Sequence, residues 1–204
     1  MSPRFIFATS NAGKAKEMAA LLGGRAEILT LKDFPAIVMP EETGATFEEN
    51  ARQKAEHVAG ITGLRCLADD SGLEVDALGG APGVRSARYA PGSDADRMRA
   101  LLAALEAVPD GARAARFRAA IALACPGRPT EVTEGRVEGS ITRAPRGEHG
   151  FGYDPIFLVA GTDRTMAQLH LDKKSEISHR ARAFAALLPS ILREISLESG
   201  GAKP

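Results

Sequence analysis

The chain has 204 residues, 44% of them hydrophobic and 25% charged, a composition typical of one folded domain. Lysine plus arginine equals aspartate plus glutamate, at 26 each, so the formal net charge is zero. Proteins that bind nucleic-acid polymers usually carry a basic excess, so this balance argues against a polymer as partner. It does not exclude a mononucleotide, which needs only a local basic cluster.

In the first half of the chain, strand and helix patterns alternate. The helix that begins at Thr46 has the clearest start, because Thr46 and Glu49 have the spacing of a capping box. Gly23 and Gly24 end an earlier helix. In chain order, this half predicts strands at 4–8, 27–31, 64–68 and 73–77 and helices at 15–22, 46–62 and 94–105.

In the second half, two long strand-like runs, 115–124 and 131–142, are separated by Pro126-Gly127-Arg128-Pro129 and predict an antiparallel hairpin. A short strand at 155–159 follows. Apolar residues at helical spacing from Ile177 onward predict a long final helix, bent at Pro189.

We find no internal repeat and no linker long enough to separate two domains. The sequence therefore predicts a single α/β domain over 1–198, with a long mixed central sheet flanked by helices, and a flexible C-terminal tail at 199–204.

Cys66 and Cys125 lie in apolar runs without the spacing of metal ligands, so we expect two buried free thiols. The N-terminal apolar run is too short for a secretory signal, and no run approaches the length of a membrane span. We therefore expect a cytoplasmic protein with no membrane partner.

The most informative segment runs from Leu67 to Ala90, where a buried strand is predicted to end on Asp69 and Asp70. Adjacent residues on an extended chain point to opposite faces, so only one of these aspartates can face a given site. A solvated, capped strand end would explain the pair. We favour a metal-binding carboxylate at the mouth of a pocket, because other segments supply groups suited to phosphate.

The segment from Thr9 to Lys14, TSNAGK, lies where a strand passes into a helix. Its hydroxyls, its lysine and the N–H groups of a helix start suit a phosphate, although a plain capped turn has the same pattern. It is not a Walker loop, because Ala15 follows the lysine and Ala8 precedes the segment.

Carboxylates also precede the helix that begins at Thr46. Glu41 and Glu42 have no capping role, so one of them is a candidate to complete a metal site. Lys54 lies one helical turn after Asn50 and either faces the same cleft or forms an exposed ion pair.

Two further segments lie in the second half. In HGFGYDPIF, Gly150 and Gly152 flank Phe151, which either stacks on a nucleobase or anchors the loop in the core. In KKSEISHRARA, cations crowd the predicted start of the last helix, where they oppose the helix dipole. A solvated basic turn would tolerate this unfavourable interaction with the dipole, whereas a bound anion would offset it. The polar residues of this cluster are Lys173, Lys174, Ser175, Ser178, His179 and Arg180.

Taken together and in this order, these segments resemble the inosine/xanthosine triphosphate pyrophosphatase family. The matching pieces are TSNAGK, EETGATFEENARQKA, ADDSGLEVDALGGAPGVRSARYA, GFGYDPIF and KKSEISHRARA. Arg85 and Pro91 depart from the usual family pattern beside the central motif, which puts loop contacts or dimer packing in question more than catalysis.

The resemblance implies an α/β fold of two lobes with a nucleotide cleft between them, a homodimer and dependence on Mg²⁺. It also implies hydrolysis between the α- and β-phosphates of ITP, dITP, XTP and dXTP, which gives a monophosphate and pyrophosphate. The expected substrates are thus purine nucleoside triphosphates with a 6-oxo base.

Carried over position by position, the resemblance makes Asp70 the general base. It makes Asp70 and Glu42 the metal ligands, with Glu41 as the alternative to Glu42. The substrate-binding residues implied are Thr9, Ser10, Asn11, Ala12, Gly13, Lys14, Lys54, Ser71, Phe151, Gly152, Tyr153, Asp154, Lys174, His179 and Arg180.

Arg180 carries the expected base selectivity. A guanidinium only donates hydrogen bonds, so it suits a 6-oxo acceptor and is left unpaired by the amino group of adenine. Guanine also has a 6-oxo group, and no residue in the sequence accounts for its rejection. The rival functions are a pyrophosphatase for modified pyrimidine nucleotides, a nucleotide-sensing module without turnover and a purely structural domain.

Overall fold

A computed structural model describes residues 3–200. Within that range the strands are β1 (Arg4–Phe7), β2 (Glu27–Thr30), β3 (Cys66–Val75), β4 (Ala114–Ala124), β5 (Glu131–Ile141) and β6 (Phe157–Val159). The helices are α1 (Ala12–Leu22), α2 (Phe47–Thr62), α3 (Asp94–Ala104), α4 (Leu171–Ile177) and α5 (His179–Gly200).

The strands form one mixed sheet in the order β2-β1-β3-β4-β5-β6. β1 is parallel to β2 and β3, whereas the other neighbours are antiparallel. The predicted hairpin is confirmed by the full-length pairing of β4 with β5. The prediction of a mixed central sheet flanked by helices is correct.

The long strands β3 and β4 pass through two regions of core, which form the two lobes. Near Cys66 and Ala124, the sheet is covered by α2 on one face and by α1 and α5 on the other. Toward Val75 and Ala115, the same strands pack with α3, β5 and β6. Alternation along β3 and β4 sends successive side chains to opposite faces, so each face has its own apolar set.

Local signals account for the helix starts. The capping box predicted at Thr46 and Glu49 is present, with the Thr46 side chain accepting from the Glu49 N–H. The side chain of Asn11 caps α1 by accepting from the N–H groups of Gly13 and Lys14. α1 therefore begins at Ala12, three residues earlier than the apolar spacing predicts, because polar residues of its first turn are invisible to that pattern.

One prediction about the central segment is wrong. The strands predicted at 64–68 and 73–77 are a single strand, β3, which runs without a break through Asp69 and Asp70. Buried charges do not end the strand here because they have ion-pair partners on both faces. Ala77 lies in the 3-10 turn that follows.

The C-terminal region also differs from expectation. The predicted final helix is preceded by a separate helix, α4, and Ser178, whose backbone is extended, separates the two. α5 continues through Pro189. β6 begins two residues later than predicted, after a 3-10 turn at 154–156. Of the predicted tail, Ser199 and Gly200 belong to α5, and residues 201–204 lie outside the described residues.

Both cysteines are free, as predicted. Cys66 is buried, whereas Cys125 is only half-buried, at the point where β4 gives way to the hairpin turn. Across residues 3–200, no helix combines the length and apolarity needed to cross a bilayer.

Candidate active site

The candidate site lies at the C-terminal end of β1. The last β1 residue paired with β3 is Phe7, opposite Leu67, and β3 continues past it through Asp69 and Asp70. That stretch of β3 has β4 as its strand neighbour on the other edge, so its open edge faces a cavity of about 170 Å³. The lining includes Lys14, Glu42, Asp70, Ser71, Phe151, Lys174, His179 and Arg180.

On the α2 face of β3, one ammonium joins two carboxylates. Lys54 Nζ lies 3.1 Å from Asp70 Oδ1 and 2.9 Å from Glu42 Oε1. Burial raises the pKa of Asp70. Burial alone would lower the pKa of Lys54, but the neighbouring aspartates outweigh it and the pKa is raised. Lys54 is therefore buried against two carboxylates that line the cavity, and the alternative of an exposed ion pair is excluded.

Glu42 rather than Glu41 reaches this cluster. Glu42 is half-buried, and its second oxygen, Oε2, accepts a hydrogen bond of 2.6 Å from Arg88. Glu41 is exposed. Of the two glutamates, it is therefore Glu42 that Lys54 links to Asp70.

Asp69 points to the opposite face and has its own cations. Its Oδ2 lies 3.1 Å from Lys14 Nζ and 3.0 Å from Arg180 Nε. Burial would raise the pKa of Asp69, but these two cations outweigh it and hold the pKa well below the ordinary range. Burial lowers the pKa of Lys14. Asp69 Oδ1 is buried without a hydrogen-bond partner among the described residues.

Lys174 is buried between two acids. Its Nζ lies 2.5 Å from Glu17 Oε1 and 2.7 Å from Asp154 Oδ2. Burial raises the pKa of Asp154 in spite of this partner. The ring of Phe151 lies over the Lys174 ammonium, 4.8 Å from ring centre to Nζ.

Arg180 occupies the first turn of α5 and is 1% exposed. It pairs with Glu17, donates to Asp69, and donates to Ser71 Oγ at 2.8 Å. A guanidinium has five N–H donors, so donors remain after these three bonds. The adjacent His179 stacks on Phe117 at 4.9 Å, and burial together with Arg180 holds its pKa well below the ordinary value.

The basic segment from Lys173 to Ala183 therefore differs from its prediction. Lys173 and Lys174 belong to α4, so they do not crowd the start of the last helix. Lys173 is exposed and pairs with Glu176, 2.6 Å away. The buried cations of this segment are compensated by acids from other segments, and an anion is not needed to explain them.

The loop from His149 to Asp154 has two anchors. Tyr153 is buried, and its hydroxyl donates to the carbonyl of Ser86 at 2.9 Å. Gly152 N–H donates to Asp94 at 2.7 Å. Phe151 is half-buried, and a Cβ added at Gly13 would lie 2.5 Å from its ring. Tyr153 thus anchors the loop in the core, whereas Phe151 faces the cavity.

In TSNAGK, the N–H groups of the helix start are not all free. Asn11 accepts from Gly13 and Lys14, and Thr9 Oγ1 accepts from the Asn11 N–H at 3.1 Å. Ser10 is exposed, as are Asn11 and Ala12. Lys14 and Asn11 line the cavity, so this segment contributes mainly a lysine and an amide.

Sequence reasoning missed three polar residues of the site. Glu17 is a lone acid on the buried face of α1, and nothing in the sequence indicates its partners. Asn50 is fully buried one helical turn before Lys54. This i, i+4 spacing puts both residues on one face of the helix, which is the sequence signal that could have identified Asn50. Arg88 lies within the central motif, three residues after Arg85, but nothing in the sequence indicates that it reaches Glu42. The departures from the family pattern, Arg85 and Pro91, are exposed and lie outside the cavity lining.

Among residues 3–200, no three His, Cys, Asp or Glu side chains converge to form a metal site. Glu42 and Asp70 already share one cation, the Lys54 ammonium. Mg²⁺ usually takes one or two carboxylates together with substrate phosphates and water, so these two carboxylates fit it.

Known proteins resemble the chain over almost its whole length. A dITP/XTP pyrophosphatase of Symbiobacterium thermophilum is 50% identical over 196 residues, which are 94% of this chain and 98% of that one. One of Geobacillus kaustophilus is 51% identical over 185 residues, covering 89% and 91%.

Solved structures agree. A HAM1 protein from Coxiella burnetii superposes with a TM-score of 0.84 at 43% identity, covering 94% of this chain and 99% of that one. A nucleoside-triphosphatase / dITP/XTP pyrophosphatase from Mycobacterium abscessus gives a TM-score of 0.74 at 47% identity, covering 91% and 99%. The sequence model of the Ham1 family matches residues 5–190. The chain therefore belongs to the Ham1 family.

Proposed function

We propose that this protein hydrolyses purine nucleoside triphosphates with a 6-oxo base, the class of ITP, dITP, XTP and dXTP, to the monophosphate and pyrophosphate. Relatives about 50% identical are dITP/XTP pyrophosphatases. The observation that carries the proposal is that Glu42 and Asp70, joined by Lys54, line one cavity together with Lys14. Removal of deaminated purine nucleotides from the pool would be its role.

The lysines of the site would bind the phosphates. Lys14 and Lys174 line the cavity and would offset charge on the triphosphate directly. Lys54 would do so from behind Glu42 and Asp70, which it contacts. Phosphoryl transfer depends largely on positioning and on such electrostatic stabilisation. Thr9, Asn11 and Ser71 would add neutral hydrogen-bond donors.

Asp70 is the proposed general base. A water attacks the α-phosphorus, and the bond from that phosphorus to the bridging oxygen breaks. Pyrophosphate leaves with the electron pair, and a proton of the water passes to Asp70. The raised pKa of this buried carboxyl moves it toward the range in which a carboxylate accepts a proton at neutral pH.

Mg²⁺ is the proposed cofactor, held by Glu42 and Asp70. When bound, it would neutralise charge on phosphate oxygens. The Lys54 ammonium holds the same two carboxylates together in the structure.

Selectivity for the base is assigned to Arg180, Phe151 and His179. Arg180 keeps donors for a 6-oxo acceptor, and adenine would leave them unpaired in a dry site. Phe151 would stack on the base. Because Asp69 and Glu17 hold the guanidinium in place, its orientation is fixed before substrate binds.

A pyrophosphate-release assay across ITP, XTP, dITP, GTP, ATP and dTTP, with and without Mg²⁺, tests the proposal. We expect specificity constants for ITP, dITP and XTP to exceed those for ATP and GTP by at least tenfold, and release to require the metal. Preference for dTTP would favour the rival pyrimidine nucleotide pyrophosphatase. Binding without any release would favour a sensing module.

A homodimer and a cytoplasmic location are part of the same proposal, since the family resemblance implies the first and the free thiols agree with the second. Light scattering after size-exclusion chromatography tests the dimer. A mass of one chain, 21.5 kDa, at working concentration would rule it out.

A further inference from the structure

The side chain of Asn50 is fully buried and lies between Asp70 and the backbone of the segment that carries Glu42. Its Nδ2 donates to Asp70 Oδ2 at 3.1 Å, and its Oδ1 accepts from the Gly44 N–H at 2.8 Å. A carboxylate only accepts and a backbone N–H only donates, so the amide fits in one orientation. The two ends of the Asn50 amide therefore bind Asp70 and the segment that carries Glu42.

The first bond fixes how Asp70 is presented. Rotation of an aspartate carboxylate about its last torsion is soft, so its orientation needs a partner. Asn50 takes Oδ2, while Oδ1 lies 3.1 Å from Lys54 Nζ. Lys54 in turn lies 2.9 Å from Glu42. The amide therefore leaves one defined oxygen of Asp70 for the shared cation.

The second bond holds the segment that carries Glu42. Gly44 follows Glu42 by two residues, in a stretch without regular secondary structure. A Cβ added at Gly44 would lie 2.6 Å from Asn50 Oδ1 and 2.8 Å from Glu49 Cβ. The close approach of this segment to Asn50 thus depends on glycine, because there is no room for a side chain.

We infer that Asn50 is a positioning residue that holds Asp70 and the Glu42 segment at the separation at which both carboxylates bind one cation. The inference rests on the proposed function, since it concerns the same two carboxylates. Asn50 does not line the cavity, and its side chain bonds to Asp70 and Gly44, so it acts through those two residues. A purely structural amide would stabilise the fold without affecting cation binding.

The test uses three variants of the full chain. Asn50→Leu has a similar volume and removes both bonds, whereas Asn50→Asp keeps an acceptor for Gly44 but loses the donor to Asp70. Gly44→Ala displaces the backbone N–H that donates to Asn50. It tests the same inference if Asn50→Leu does not fold. Glu56→Gln is the matched control, because Glu56 is an exposed residue of the same helix.

Three readouts separate positioning from stability. The first is Mn²⁺ affinity of the nucleotide-free protein, measured by electron paramagnetic resonance. The second is hydrogen exchange of residues 41–46. The third is the separation of kcat from KM in pyrophosphate release. Loss of a residue that orients a metal ligand typically costs about 10–100-fold in metal affinity or activity.

We expect Asn50→Leu and Gly44→Ala to weaken Mn²⁺ binding about tenfold or more and to speed exchange at 41–46. In both, kcat should fall while KM for dITP changes less than about threefold. Asn50→Asp should also lose kcat, although residues 41–46 stay protected. Wild-type Mn²⁺ affinity and kcat in folded Asn50→Leu or Gly44→Ala would overturn the inference.

The proposed function has its own control. Asp70→Asn should lose turnover whether or not Asn50 has a positioning role. If Asp70→Asn is inactive but the Asn50 and Gly44 variants behave as wild type, only the positioning role fails. If Asp70→Asn retains wild-type turnover, the proposed function fails as well.

Discussion

Arg88 Nη1 donates a hydrogen bond of 2.6 Å to Glu42 Oε2, across 46 residues of sequence. The same guanidinium lies 3.4 Å from the Glu42 carbonyl oxygen. Arg88 thus holds both the side chain and the backbone of the segment that brings Glu42 to Lys54. It belongs to a 3-10 helix, Gly83–Arg88, that follows β3.

Arg88→Ala should raise the Mg²⁺ concentration for half-maximal turnover about three- to tenfold, because the Glu42 segment loses an anchor. Thermal stability should change little, since partly exposed ion pairs contribute only about 0–1 kcal/mol. Pyrophosphate release across a Mg²⁺ titration measures the effect. The matched control is Arg85→Ala, an exposed residue of the same 3-10 helix. Identical Mg²⁺ dependence in both variants would refute the anchoring role.

Asp70→Asn should lower kcat for dITP by about 10²–10⁴-fold, the usual contribution of a general base. The amide keeps the size of the carboxylate, so circular dichroism should show an unchanged fold. Pyrophosphate release measures kcat. Asp76→Asn, beyond the end of β3 and outside the cavity lining, is the control and should retain activity. Turnover within twofold of wild type in Asp70→Asn would exclude the assigned role.

Arg180→Ala should be strongly destabilised, by about 3–5 kcal/mol, because Asp69 and Glu17 are left as buried charges without this partner. Urea unfolding measures the loss. Where the variant folds, its preference for ITP over ATP should narrow. Arg180→Lys keeps the positive charge and should recover part of the stability but not the preference. An unchanged ratio of specificity constants in both variants would count against Arg180 as the residue that reads the base.

His179 makes the stability depend on pH. Burial and Arg180 hold its pKa below the ordinary value near 6.5, so below that value the unfolded chain binds a proton that the folded protein does not. His179 therefore makes stability fall as pH falls from about 6.5 toward the lower folded pKa, by about 1.4 kcal/mol per pH unit. Urea unfolding at pH 7.5, 6.0 and 5.5 should show a smaller decrease in His179→Gln. If the free energy of unfolding falls equally with pH in wild type and His179→Gln, His179 is not the cause of the pH dependence.

Several features of the fold follow from local pattern. The capping box at Thr46 and the β4–β5 hairpin are where the sequence predicts them, because each depends on residues close in the chain. Alternation along β3 correctly places Asp69 and Asp70 on opposite faces. Local pattern fails at the element ends, as at Ala12 and Ser178, where a polar cap or an extended residue decides the boundary.

The sequence predicts which types of residue form the site, but not which acid pairs with which cation. The motif order indicates a phosphate site with carboxylates and lysines. It does not show that Lys174 is held by Glu17 and Asp154, or that Arg180 is held by Asp69, 111 residues away.

By itself, the sequence determined the class of fold, the family and the residue types that converge on the cavity, since periodicity, caps and motifs are encoded locally. Only the tertiary structure decided which carboxylate meets which cation, and it revealed Glu17, Asn50 and Arg88. The reason is physical: burial makes each charge depend on partners from distant segments, and chain packing alone brings those partners within hydrogen-bonding distance.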